Sequence, residues 1–123
     1  MSDCRELIEE YFRSVGAGDV ERVVACFAAD GSFWPPLAEE PIRGHAAIRA
    51  FFEGLIPLFR GRHEVTTRVI VDGDRGLSEL VFDAELVDGR SVHFENCNTY
   101  VFRDGRFAEV RVYADAAEMR RQF

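Results

Sequence analysis

The chain has 123 residues, a net charge of -7 and 47% hydrophobic residues, which predicts one acidic domain over residues 1–123 with enough apolar side chains for a core. Because nucleic acids and anionic membranes attract clustered Lys and Arg, this charge argues against both partners. No apolar run approaches the roughly 20 residues that span a bilayer, and the opening segment is too polar for a secretory signal, so we expect a cytoplasmic protein.

Three helices are predicted in the first half of the chain from apolar residues at helical spacing. The first covers about residues 4–16 and ends near Gly18. The second follows Asp19 as its N-cap, carries Phe27 on its apolar face and stops before Asp30. The third follows Gly44 and ends near residue 56, because Pro57 disfavours its continuation.

Strands are predicted next, one short and four long. The short strand is Ser32-Phe33-Trp34, and the long strands cover about residues 62–72, 75–87, 91–103 and 106–114, where the apolar period becomes two. Between the long strands lie Asp72-Gly73, Asp88-Gly89 and Asp104-Gly105, which predict type I′ hairpin turns because both central positions need a positive φ. The predicted fold class is α+β, with three N-terminal helices covering one face of an antiparallel sheet.

Two asparagines share a face with aromatic residues in the strand over residues 91–103. Strand alternation places the following residues on this face: Phe94, Asn96, Asn98, Tyr100 and Phe102. Amides are costly to bury without hydrogen-bond partners. Asn96 and Asn98 therefore either bind a ligand or pair with backbone groups of the protein, and the sequence leaves both readings open.

Three segments together resemble one known superfamily. They are YFRSVGAGDVERVVACFAADGSF, PIRGHAAIRAFFEGL and ENCNTYVFRDGRFAEVRVYAD, in this order. The chain resembles the nuclear-transport-factor-2-like superfamily, and within it the SnoaL-like and ketosteroid-isomerase-related group. The resemblance implies a strongly curved antiparallel sheet wrapped around three helices as a cone, an apolar pocket at the open mouth, and a homodimer formed through the outer face of the sheet.

The isomerases of this superfamily place carboxylates inside the cone, where desolvation raises the carboxyl pKa. Tyr11 matches their oxyanion-stabilising tyrosine. Their general base matches Pro35, and their protonated aspartate matches Asn98 or Thr99. An amide donates a hydrogen bond but does not shuttle a proton at neutral pH, which argues against steroid isomerisation.

The epoxide-hydrolase branch places an inward acid on the final strand, where this chain has Val112. Asp83 is the one candidate for the acid that the branch uses on an earlier strand, after a register shift of two. The resemblance therefore argues against epoxide hydrolysis by the familiar route and leaves polyketide cyclisation open.

The resulting hypothesis is a pocket that binds, and converts, a small hydrophobic cyclic or polyketide-like molecule. Tyr11 and Asn98 are the catalytic candidates, as donors that polarise a carbonyl. The ligand-binding candidates are Phe33, Trp34, Asn96, Tyr100, Val110 and Val112. The alternative is a non-catalytic ligand-binding or dimerisation module of the same fold, with Tyr11 as a core residue and Trp34 packed under its loop.

No cofactor and no metal are expected. His45, His63 and His93 lack a useful ligand spacing, and His45 reads as a lone solvent-facing residue. The three cysteines are scattered without CxxC spacing, which favours reduced thiols. A charged lattice is expected on the outer face of the sheet or at a dimer contact, formed by Glu95, Glu109, Arg111 and Asp115.

Overall fold

The computed structural model describes residues 3–123, apart from the side chains of residues 62–67. The helices in this part of the chain are α1 (Cys4–Ala17), α2 (Val20–Ala25), α3 (His45–Leu55) and α4 (Ala116–Gln122), and a 3₁₀ turn over Ile56–Leu58 follows α3. The strands are β1 (Phe27–Trp34), β2 (Ile42–Arg43), β3 (Phe59–Asp72), β4 (Arg75–Leu86), β5 (Ser91–Arg103) and β6 (Arg106–Tyr113). The predicted α+β class is confirmed.

The strands form one sheet in the order β2-β1-β6-β5-β4-β3. The predicted antiparallel meander is confirmed in β3 to β6. The sheet as a whole is mixed, because β1 runs parallel to β6 and pairs Phe33 with Val110. This parallel pair extends the sheet beyond the meander and brings β1 to the wall of the site described below.

The second helix is shorter than predicted. Asp19 caps α2 as expected and accepts a hydrogen bond from the backbone N–H of Arg22 at 3.2 Å. The helix ends at Ala25, and Phe27 begins β1. At this point the backbone N–H of Phe107 donates to the carbonyl of Cys26 at 2.8 Å, so pairing with β6 replaces helical hydrogen bonding. The helical spacing of Phe27 reflects its complete burial and not a helical backbone.

A fourth helix lies beyond the three that the sequence predicts. The carboxylate of Asp115 caps α4 by accepting a hydrogen bond from the backbone N–H of Glu118 at 3.0 Å. Asp115 was expected in a charged lattice on the sheet, and that expectation is wrong, because the chain leaves the sheet after Tyr113. The helix has only seven residues, which is short for detection by periodicity.

Each Asp-Gly pair lies at a hairpin, but only one pair forms the predicted turn. Asp104 and Gly105 have φ values of 53° and 75°, as a type I′ turn requires. In the first hairpin Asp72 ends β3 and only Gly73, at φ 61°, is left-handed. In the second hairpin Gly89, at φ 93°, lies in a longer loop. The type I′ prediction is therefore wrong for the first two hairpins.

The helices α1 to α3 bury one face of the sheet in two apolar clusters. The larger cluster joins the three helices to β1, β5 and β6, and the smaller lies on β4 and β5 around Leu80 and Phe82. The predicted inner-face alternation of β4 and β5 is confirmed by their burial patterns. Among the described residues, none of the helices combines the length and apolar content needed to cross a membrane.

Candidate functional site

A cavity of about 280 Å³ opens between the two apolar clusters. Helices α1, α3 and α4 and strands β1, β4, β5 and β6 contribute to its wall. The lining is apolar except for Tyr11, Asn96 and Asn98 among the described residues. A mostly apolar cavity with a few convergent polar groups is the usual form of a small-molecule site.

Five of the predicted site residues lie together in this wall: Tyr11, Phe33, Asn96, Asn98 and Val112. They come from α1, β1, β5 and β6. Register explains part of this convergence, because Asn98 lies opposite Val112 between β5 and β6. Their roles in binding or catalysis remain predictions.

Trp34 lies outside the cavity lining. Its indole N–H donates a hydrogen bond to the carbonyl of Ala38 at 2.8 Å. The guanidinium of Arg111 lies 3.9 Å from the centre of the indole ring and 4.8 Å from that of Tyr113. Since Phe33 faces the cavity, alternation along β1 turns Trp34 to the other side of the sheet, where Arg111 packs against it.

Tyr100 and Val110 also lie outside the cavity lining, in the closed core. They are cross-strand partners and are 1% and 0% exposed. The Tyr100 hydroxyl shares a hydrogen bond with the Ser78 hydroxyl at 2.7 Å, and its ring stacks on Phe107 with 5.1 Å between ring centres. Both residues share the inner face with the cavity residues, but they lie where the helices already fill that face.

Tyr11 lies on α1 and is 4% exposed. Its ring makes edge-to-face contacts with Phe12, Phe52 and Phe107, with ring centres 5.1 to 6.4 Å apart. Such packing fixes the plane of the ring. Tyr11 thus lies both in the core and in the cavity wall. Its position agrees with the prediction of a core residue and with that of a cavity residue.

The two asparagines carry the buried polarity of the cavity. Asn98 is 2% exposed. The side-chain oxygens of Asn96 and Asn98 are buried and have no hydrogen-bond partner among the described residues. An unsatisfied buried polar group costs about 1–3 kcal/mol, so a ligand that donates hydrogen bonds to these oxygens removes this penalty as it binds. Their spacing of two residues on β5 separates the amides by about 7 Å.

The described lining contains no carboxylate, imidazole, amine or guanidinium. Asp83, the weak carboxylate candidate, lies on the opposite face of β4 from Phe82 and bonds to His93 at 2.5 Å between its Oδ1 and the imidazole Nδ1. This hydrogen bond raises the pKa of His93. Asp83, a candidate acid only after a register shift of two, is therefore not an acid of the cavity: its side chain belongs to the outer surface.

The histidines do not form a metal site in the part of the chain that the structure describes, where no group of three potential ligands converges. His45 is half-buried and its Nε2 lies 2.8 Å from the carbonyl of Phe27, which corrects its reading as solvent-facing. The side chain of His63 lies outside the described residues.

Four aromatic residues of the cavity wall are not among the predicted site residues. Phe59, Phe82, Phe94 and Phe123 form a closed set of ring contacts, with 4.7 to 6.4 Å between neighbouring ring centres. Strand alternation placed Phe82 and Phe94 on the inner faces of their strands, so their place in the cavity wall could have been predicted from the sequence. Phe123 follows α4, which the pattern did not reveal.

Comparisons with known proteins agree with this fold. A family model described as the SnoaL-like domain matches residues 8–110. The epoxide hydrolase LasB of Streptomyces lasalocidi is 42% identical over 57 residues, a match that covers 46% of this chain and only 19% of LasB.

Two solved structures share the fold at low sequence identity. A protein of unknown function from Burkholderia pseudomallei, described as NTF2-like, superposes with a TM-score of 0.88 and 22% identity, over 99% of this chain and 98% of its own. A putative polyketide cyclase from Pseudomonas putida superposes with a TM-score of 0.83 and 18% identity, over 99% and 98% of the two chains. These likenesses establish a shared fold.

Proposed function

Because the chain belongs to the SnoaL-like domain family, we propose that its cavity binds a small, neutral, hydrophobic ring compound and converts it by polarising a carbonyl group. The binding part of this proposal rests on the pair of buried asparagine oxygens without partners in an otherwise apolar wall. These oxygens accept hydrogen bonds, so they favour a ligand that carries a hydroxyl group beside its carbonyl. Buried polar groups in folded proteins are nearly always hydrogen-bonded, so these two oxygens are acceptors available to a polar group that enters the cavity.

The wall favours a neutral ligand. A charged ligand loses its hydration in an apolar cavity and needs an opposite charge in return. The described lining offers only a phenol and two amides as polar groups. These groups form hydrogen bonds to hydroxyl and carbonyl oxygens without introducing a formal charge.

The chemistry that the wall supports is stabilisation of negative charge on an oxygen. Hydrogen bonds from the Tyr11 hydroxyl and from the side-chain N–H of Asn98 to a ligand carbonyl strengthen as charge develops on that oxygen, which lowers the barrier to enolisation and to carbon–carbon bond formation in a cyclisation. Water or a basic group of the substrate takes the proton, since the described lining holds no side chain that is a base at neutral pH. Two of the similar proteins described above are named as an epoxide hydrolase and a putative polyketide cyclase, and both names are compatible with an oxygenated substrate.

The test uses 1-tetralone, a neutral bicyclic ketone, as the probe. In the parent protein we expect its carbonyl stretching frequency to fall on binding, as measured by infrared difference spectroscopy. Asn98→Ala and Tyr11→Phe should each reduce this shift, whereas Thr99→Ala, on the opposite face of β5, should leave it unchanged. An unshifted carbonyl band in the bound parent protein contradicts carbonyl polarisation.

A non-catalytic binding module is the second candidate, and the uncharged lining favours it. An enzyme and a binding module differ in how the same substitutions change the exchange rate and the affinity. For an enzyme, exchange of the tetralone α-protons with D₂O, followed by NMR, should slow about a hundredfold in Asn98→Ala, while affinity falls only about tenfold. Equal losses of exchange rate and affinity, or no exchange above the buffer rate, identify a binding module.

A further inference from the structure

Two apolar side chains at the end of the chain contribute to the cavity wall: Met119 of α4 and Phe123, which follows the helix and is half-exposed. Met119 is 5% exposed and lies in the cavity wall, although it belongs to a helix at the surface. Phe123 also lines the cavity, and its ring centre is 6.4 Å from that of Phe59 and 6.0 Å from that of Phe94. The apolar contacts of α4 are thus directed into the site.

One residue attaches α4 to the sheet through polar contacts. The Gln122 side chain accepts a hydrogen bond from the backbone N–H of His93 at 2.6 Å and donates one to the carbonyl of the same residue at 2.7 Å. Arg90 donates to the backbone carbonyl of Gln122 at 3.3 Å. The amide of Gln122 therefore pairs with β5 as a neighbouring strand would.

This pairing occupies a stretch of β5 that β6 does not reach. The ladder between β5 and β6 begins at Cys97 and Tyr113, four residues beyond His93. On its other side His93 pairs with Asp83 of β4. An uncovered strand edge has backbone groups that seek partners, and Gln122 satisfies those of His93.

The position of α4 depends on these contacts. Isolated helices of fewer than about 12 residues are marginal in water, and α4 has seven. Asp115 caps its first turn, but capping does not hold a helix against a sheet. The side chains of Met119, Gln122 and Phe123 provide the attachments, two through the cavity and one through β5.

We propose that α4 is a latched wall of the cavity, in which Met119 and Phe123 set the size of the ligand and the Gln122–His93 pairing is the latch that opens for its entry. The inference uses the ligand-binding part of the proposed function and does not depend on carbonyl chemistry. It makes two separable statements, one on ligand size and one on the rate of entry.

The size statement is tested with two neutral phenols, 2-naphthol with two fused rings and 1-hydroxypyrene with four, whose binding is followed by their own fluorescence. We expect the parent protein to prefer 2-naphthol. Met119→Ala and Phe123→Ala should each improve the affinity for 1-hydroxypyrene relative to 2-naphthol at least tenfold. Arg120→Ala is the matched control, because Arg120 is exposed on the same helix and lies outside the lining. An unchanged preference in both cavity variants overturns the size statement.

The latch statement is tested with Gln122→Ala. Losing the two hydrogen bonds between Gln122 and His93 should raise the association and dissociation rates of 2-naphthol about tenfold or more in stopped-flow experiments. Hydrogen exchange of the backbone amides of residues 118–123 should accelerate by a similar factor, while exchange in β4 and β5 away from His93 stays unchanged. Parent-like rates and parent-like exchange in Gln122→Ala overturn the latch.

The outcomes also separate this inference from the proposed function. If the parent protein binds neither of the two phenols nor 1-tetralone, the proposed function fails. Hydrogen exchange of the backbone amides of residues 118–123 then decides whether Gln122 latches α4. If the probes bind and tetralone is polarised, but the α4 variants behave like the Arg120→Ala control, the latched wall is rejected and the proposed function stands.

Discussion

Glu10 joins α1 to α2 through several donors on one carboxylate. The Ser14 hydroxyl lies 2.9 Å from Glu10 Oε1, the Arg22 Nε lies 3.1 Å from the same oxygen, and Arg13 donates to the other oxygen at 3.2 Å. Hydrogen bonds from Arg22, then from Ser14 and Arg13, lower the pKa of Glu10 to about 2. Donors on both α1 and α2 thus stabilise the charged form of this carboxylate.

This network predicts acid sensitivity at Glu10. A carboxyl whose pKa is lower in the folded than in the unfolded state stabilises the fold above its ordinary pKa of 4.5, and this contribution disappears as the pH falls towards 2. We expect Glu10→Gln to lower the urea midpoint at pH 6 and to differ less from the parent protein at pH 2.5. Glu9→Gln, at an exposed neighbouring position on α1, is the control. A deficit of Glu10→Gln that stays constant between the two pH values contradicts the assignment.

At the scale of elements, the close approach of β1 to β6 requires a glycine at position 31. A Cβ at Gly31 would lie 2.9 Å from the carbonyl oxygen of Phe107 and 3.0 Å from that of Ala28, and both are backbone atoms. The register of β1 on β6 shifts between Phe27 and Ser32, so this glycine lies within the irregular part of the pair. Side-chain repacking cannot relieve the clash, and one of the two strands has to move.

We therefore predict that Gly31→Ala destabilises the protein by about 2 kcal/mol, in the range of overpacked core positions. Gly54→Ala is the matched control: Gly54 lies in α3 at an exposed position, and a Cβ there meets no atom within 4 Å. That change should stabilise the protein by about 0.5 kcal/mol, because alanine loses less backbone entropy than glycine when it becomes helical. Chemical unfolding measures both, and a neutral Gly31→Ala refutes the steric argument.

The elements that the sequence predicted well are those with local signals. The meander follows from alternation and from the Asp-Gly pairs, and α1 and α3 follow from long amphipathic patterns. The boundary between α2 and β1 depends on pairing with β6, about 80 residues later in the chain, which overrides the helical spacing of Phe27. Helix α4 is too short to show a period, and its position depends on Gln122 and β5.

In the candidate site, too, local signals predicted some residues correctly and long-range packing decided the others. Alternation identified Asn96 and Asn98 as inward residues, because period two assigns a face from the sequence alone. It did not distinguish Tyr100 and Val110, which share that face but are covered by the helices. Which part of an inner face stays open depends on how far the helices extend over it, and that is a property of the assembled molecule.

At the scale of the whole molecule, the outer face of the sheet is the predicted dimer contact. Since Asn96 and Asn98 face the cavity, Cys97, Thr99 and Val101 lie on the opposite face of β5, and all three are half-buried in the single chain. Glu109 lies opposite Val101 on β6, so a charged residue borders these three side chains. A weakly polar centre with a charged border is typical of protein interfaces.

We expect the protein to be a dimer at micromolar concentration, and Val101→Glu to convert it to a monomer. In a two-fold symmetric contact the substitution places a carboxylate from each subunit in the interface, beside Glu109 of its own chain, and desolvation of these charges opposes association. Val87→Glu is the control, because Val87 is 59% exposed in the loop between β4 and β5 and lies outside this face. Sedimentation velocity should find dimers of the parent protein and of Val87→Glu, and monomers of Val101→Glu. A parent protein that sediments as a monomer up to high concentration, or a Val101→Glu variant that stays dimeric, rejects this face as the contact.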